Sequence, residues 1–210
     1  MKLQSPFSAL ATTGVDALAL KVLAGAGNIF SVSEVHRLAP EKASREAIRL
    51  SLIRLAHHGI ASEHRIGHAV GYSLNRDHLL ADAVIAIATA KQRLLERVQA
   101  EIATWDPQPV AVWLFGSAAR NVMRLESDID LLIVTPGPTE QLDEQIGILA
   151  ERVRLWTGNT CNPLVYAAEE LSDAKIFHEV LKDGVCLVGE RSWLRKKTRQ
   201  TRVSNRSVRL

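Results

Sequence analysis

The apolar positions of the first 75 residues follow two rhythms. Val15 to Leu23 reads as a short helix, ended by the glycines of AGAGN. In SVSEVHRL, Ser31 or Ser33 can cap a second helix, because a serine there accepts from an orphan N–H and an acid comes next in the first turn. Ser44 caps a third, SREAIRLSLIRLAHH, in which Ile48, Leu52 and Leu55 recur at i, i+4 and i+7 as one buried stripe. Gly59 stops it. Past Gly59 the rhythm shortens. IASEHRI and AVGYSL are rich in β-compatible residues and are separated by Gly67 and His68, which predicts a hairpin.

Three short helices and then a hairpin is the plan of a winged helix-turn-helix domain, here over residues 1–75. Residues 76–107 connect it to the remainder of the chain. Val84, Ile87, Ala88, Leu94, Leu95, Val98, Ile102 and Trp105 keep a helical period, so 76–105 reads as one long helix that DPQP ends. Over 108–190 the pattern alternates. VAVWLF, IDLLIV, PLVY and VCLV are short apolar runs that read as strands. Leu142, Ile146, Leu149, Val153 and Trp156 mark an amphipathic helix, and EELSDAKIFHEVLKDG a last one with Gly184 as its stop. Strands alternating with helices predict an α/β (α+β) domain around a small mixed sheet.

Composition changes this picture at one end. The formal charge of +3 is unevenly spread over the 210 residues. Residues 191–210 hold eight Lys/Arg and no Asp or Glu, and without them 18 basic residues face 23 acidic ones. With few apolar residues and no helical period, this basic tail reads as disordered. It can serve to neutralise nucleic-acid phosphates or simply as a solvated end. No apolar stretch reaches the roughly 18 residues a membrane span needs, and MKLQSPFSAL does not read as a secretory signal. Cys161 and Cys186 lack metal-type spacing. Reduced thiols and a cytoplasmic location are therefore expected.

The segment LFGSAARNVMRLESDIDLLIV carries the candidate chemistry. A buried strand runs into Gly116 and Ser117, where a short helix is expected to start. Free N–H groups at such a start suit a phosphate, and glycine lets the backbone come close. Ten residues later Asp128 and Asp130 enter an apolar strand at i and i+2, so both carboxylates point to one face. Adjacent carboxylates repel unless a cation lies between them, and oxygen ligands suit magnesium. Two such ions can clamp an in-line displacement at an α-phosphate. Arg120 and Arg124, between the two halves, are candidates to offset developing charge.

Gly-Ser, ten residues, then Asp-x-Asp on a strand–helix–strand unit resembles the minimal nucleotidyltransferases of the DNA polymerase β superfamily, including antitoxin-type members. The resemblance covers about residues 108–190. It implies that Gly116 and Ser117 hold an NTP triphosphate while Asp128 and Asp130 bind Mg2+. It also implies transfer of a nucleoside monophosphate to a hydroxyl on protein, RNA or a small molecule, with release of pyrophosphate. The layout as a whole looks like a bacterial family that joins a winged helix to such a domain. Two departures stand out. Asn121 comes after Arg120 where the family often has glycine, and Asn162 in GNTCNPLVY occupies the position of a third carboxylate. An amide cannot accept the proton; Glu169 or Glu170 can replace it only if their loop folds back.

In a winged helix the third helix usually enters the major groove. Arg45 and Arg49 share a face of it, and Arg65 and His68 sit near the wing tip. These are the candidate nucleic-acid contacts, although winged helices also serve as protein-contact modules. His57, His58, His64 and His68 read as solvated side chains rather than zinc ligands. The function expected is Mg2+-dependent nucleotidyl transfer. The alternative is a DNA-binding regulator whose transferase-like domain senses nucleotide. A homodimer through the 76–105 helix is a further possibility.

Overall fold

A computed structural model describes residues 2–9, 14–25, 27–39, 41–171 and 175–198. The chain divides into two compact units, 1–91 and 92–210.

In the first unit a 3-10 turn, Pro6–Ala9, precedes α1 (Val15–Gly25), β1 (Phe30–Ser31), α2 (Val32–Leu38), α3 (Arg45–His57), β2 (Ala61–Ile66), β3 (Ala69–Leu74) and α4 (Ala81–Ala88). Ser31, not Ser33, caps α2. Its hydroxyl accepts from the Glu34 N–H at 3.3 Å, while the Glu34 carboxylate accepts from the Ser31 N–H at 2.8 Å, a reciprocal capping box. Ser44 accepts from the Ala47 N–H at 3.1 Å to start α3. Ile48, Leu52 and Leu55 are buried and join Leu18, Leu23 and Val35 in the core, each full burial contributing about 1.5–3 kcal/mol. β2 and β3 form an antiparallel hairpin, Ala61 opposite Leu74 through Ile66 opposite Ala69, and β1 adds to its other side in the order β1-β3-β2.

The long helix read over 76–105 is instead two helices, α4 and α5 (Ala90–Ile102), with residues 76–80 outside both. They are separated at Thr89, whose hydroxyl donates to the Ile85 carbonyl at 2.8 Å and thereby competes for a helix-ladder acceptor. The apolar period looked continuous because two sets of residues shared it. Val84 and Ala88 complete the first unit's core, whereas Leu94, Val98 and Ile102, also buried, belong to the second unit.

The second unit continues with β4 (Ala111–Phe115), α6 (Gly116–Ala119), β5 (Ile129–Thr135), α7 (Glu140–Thr157), β6 (Cys161–Ala167), α8 (Lys175–Asp183) and β7 (Val185–Val188). Its sheet has the order β6-β5-β4-β7 and is mixed. β5 and β6 run parallel, as their connection through the crossover helix α7 requires, and the other pairs are antiparallel. Thr139 caps α7 by accepting from the Leu142 N–H at 3.2 Å, and Gly158, at φ 71°, ends it. Leu142, Ile146, Leu149 and Val153 bury its inner stripe.

Two expectations for this unit need correction. Residues 168–170 form a turn, so the last helix begins at Lys175 rather than in Glu169–Glu170, with 172–174 outside the described residues. The tail read as disordered over 191–210 is helical (α9) over 191–198. Leu194 is fully buried with Trp113, Leu132, Phe177 and Val180, and Arg191 lies over the Trp113 ring, 5.8 Å from its centroid. Leu194, with Trp193 packed beside it, outweighs the polar composition around them. Residues 199–210 lie outside the described residues. No described helix is long and apolar enough to cross a membrane.

Candidate functional site

β4 is buried up to its end, where Phe115 is extended and Gly116 turns sharply, at φ 69°, into the four-residue α6. Phe115 pairs with Asp130 across the antiparallel ladder, which brings Gly116 against that carboxylate. A Cβ built on Gly116 would lie 2.1 Å from Asp130 Oδ2 and 3.1 Å from its Cγ. The position therefore needs glycine twice, for its left-handed backbone and for the space.

Ile129 is 1% exposed and points into the core. Strand alternation then directs Asp128 and Asp130 together to the opposite face. Parallel pairing of β5 with β6 sets Asn162 beside Asp130, and the Asn162 amide nitrogen donates to Asp128 Oδ2 at 2.8 Å. Burial first, and the Asp128 charge second, push the Asp130 carboxyl above its ordinary range, with Arg120 partly offsetting them. Two like charges, one half-buried, form an incomplete arrangement that a divalent cation would complete. Two carboxylates with an amide alongside are hard oxygen donors of the kind magnesium takes. Among the described residues no group of three or more His, Cys, Asp or Glu side chains is placed to hold a metal ion. The buried Cys161 thiol, next to Asn162, is pushed up to about 12 by burial and the two aspartates, so it stays protonated at neutral pH.

Ser117 is half-buried and its carbonyl accepts from the Val122 N–H at 3.0 Å. Arg120 is exposed, near enough to act on Asp130. Arg124 is also exposed; its backbone N–H donates to Ser127 Oγ at 2.8 Å. Asn121 has φ 59°. The departure at this position is therefore conservative, because asparagine is among the few side chains that enter the left-handed region readily.

Two residues that the sequence did not single out hold the approach to β5. Buried Asn159 donates from its side chain to the Ser127 carbonyl at 2.8 Å, and Ser127 in turn accepts from Arg124. A Gly-Asn pair just past a helix was the available signal. Glu169 and Glu170 do not fold back to the aspartates. Glu170 lines a recess with Thr135, Gly137, Pro138 and Leu142, and accepts from the Ala167 N–H at 3.3 Å. Thr135 pairs with Ala167 five residues along β5 from Asp130, roughly 16 Å away at strand rise.

In the first unit Arg45 is exposed at the start of α3 and Arg65 is exposed on β2, opposite Val70. Arg49 is already forked onto Glu46, with its Nε and terminal nitrogen at 2.8 and 2.6 Å from the carboxylate. Leu50 and Ile53 are exposed on the same helix. His57, His58 and His68 are exposed, and His64 is hydrogen-bonded to Ser73 at 2.8 Å.

Residues 92–185 match the family model described as a nucleotidyltransferase domain, just under half of the chain. No curated protein matches. Similar solved structures include a toxin–antitoxin with AMP-PNP, 14% identical over 56% of this chain and 88% of that one, at TM-score 0.41. The tri-AMPylated Shewanella oneidensis HEPN toxin in complex with MNT antitoxin gives the same four values. TrmBL2, an archaeal chromatin protein, is 18% identical over 73% of this chain and 65% of that one, at TM-score 0.29. Likenesses at these scores do not define a fold.

Proposed function

We propose that this chain is a Mg2+-dependent nucleotidyltransferase that moves a nucleoside monophosphate from an NTP to a hydroxyl of a protein, RNA or small-molecule acceptor. The observation that carries the reading is the junction of Gly116 with Asp130: a turn with no side chain abuts a carboxylate that also feels the charge of Asp128. The match of residues 92–185 to a nucleotidyltransferase domain supports it.

In the reaction, the acceptor oxygen bonds to the α-phosphorus while the bond to the bridging α–β oxygen breaks. Pyrophosphate leaves and the hydroxyl proton passes to solvent. Gly116 lets the triphosphate approach the backbone, Ser117 supplies donors, and Arg120 and Arg124 offset phosphate charge. Asp128 and Asp130 would hold the cation, which would supply neutralisation of phosphate oxygens and polarisation of the α-phosphorus. The first unit acts as a winged helix that selects the acceptor, with Leu50 and Ile53 on α3 suited to a protein surface.

The test is label transfer from each α-labelled NTP in cell extract with Mg2+. Transfer lost in Asp128→Asn and Asp130→Asn supports the enzyme; transfer that persists in both refutes it. A second reading, a DNA-binding regulator that senses nucleotide, is favoured by the amide at Asn162. It expects NTP binding without transfer, together with sequence-specific DNA retention that weakens in Arg45→Ala and Arg65→Ala.

A further inference from the structure

Asn162 is where this site parts from what two-cation chemistry requires. Its strand places it level with Asp130. Its amide nitrogen already contacts Asp128 Oδ2 at 2.8 Å, and the side chain is exposed to whatever enters the site. It is therefore in the ligand shell, not behind it. An aspartate at this position would raise the local charge from −2 to −3.

We propose that Asn162 sets this site to a single divalent cation and leaves it without a proton acceptor, so that it holds nucleotide but turns it over slowly. The inference rests on the reading of Asp128 and Asp130 as cation ligands and deepens it. One divalent ion balances the two carboxylates. A second would have to rest on the triphosphate alone, because among the described residues no group of three or more His, Cys, Asp or Glu is placed to hold a metal ion and Glu170 lies at the other end of β5. The amide also fixes one Asp128 oxygen by donating to it, which orients that carboxylate ahead of binding. An amide has no basic lone pair near neutral pH, so the rate loses the contribution a positioned base makes, about a hundred- to ten-thousand-fold.

The experiment counts Mn2+ bound to the full chain by electron paramagnetic resonance, in the presence of each of four non-hydrolysable NTP analogues. The parent binds one ion per chain and Asn162→Asp binds two. In the same variant, transfer from the corresponding NTP rises by at least tenfold. Asn162→Ala keeps one ion and gains no rate, which separates charge from the lost hydrogen bond. Two ions in the parent, or one ion and no gain in a folded Asn162→Asp chain, overturns the inference. The parent's count decides by itself if the variant fails to fold. Asp130→Asn is the control for the underlying reading: if it retains the ion, the carboxylates are not the ligands and both proposals fall. If it loses the ion while Asn162→Asp stays at one, only this inference falls.

Discussion

The solvent side of α3 and the Gly116–Asp130 junction both carry the charges that a functional reading picks out, yet they keep them in opposite ways. On α3 two of the arginines have a local answer. Arg49 is forked onto Glu46, whose carboxyl is held below its ordinary range by that hydrogen bond, and Arg54 pairs with Asp16. At the junction two acids of the same sign share one face, and burial makes Asp130 reluctant to ionise. The first arrangement is a set of matched pairs, whereas the second leaves two like charges side by side, a cost that a cation would offset. Like charge kept together where water is partly excluded is therefore the stronger pointer to a binding site. Charge density alone would have ranked the helix first.

Substitutions can break this contrast or sharpen it. Gly116→Ala should do most. A left-handed alanine costs about 1 kcal/mol, and the new methyl must turn Asp130 away from its partner. Nucleotide binding, measured by calorimetry, is expected to fall at least a hundredfold. Gly137→Ala, where nothing lies within 4 Å of an added Cβ, should leave it unchanged. Equal behaviour of the two variants would remove the reason for regarding the junction as special.

Asp130→Asn should have a smaller, opposite effect on the cation-free protein. Because the folded state raises this pKa, the residue contributes stability below the ordinary carboxylate range and loses it as pH rises through the raised value. At pH 7 the asparagine variant should melt about 1–2 °C higher, roughly 0.5 kcal/mol after allowing for solvent screening. The difference should vanish in acid, and added Mg2+ should no longer raise its Tm. Thermal melts across pH check both parts. Arg49→Ala should do least, shifting Tm by under about 1 °C. A large shift there would mean that α3 is not the quiet surface described.

Much of this arrangement was legible in the chain itself. Ile48, Leu52 and Leu55 announced the buried side of α3, and Gly-Ser with two alternate aspartates announced the junction. Periodicity failed where residues of two units share one apolar series, since nothing in that pattern marks the break at Thr89. It failed again at residues 191–198, where Leu194 and Trp193 pack on the core and composition does not show it. The Asn159–Ser127 support was hidden because it joins segments 32 residues apart through a backbone carbonyl. The separation of Glu170 from the aspartates emerged only from strand register. Sequence could show that carboxylates were available, not at which end of β5 they would lie.

Leu194 splits the carboxyl end into two jobs that composition had merged. Trimming the chain after Thr198 discards four arginines and leaves the plug beside Trp113 and Phe177 in place. Trimming it after Glu190 pulls the plug, and the sheet that carries the aspartates then has a hole in its packing. A truncation after Glu190 is therefore expected to lower Tm relative to one after Thr198, which keeps Leu194 in place.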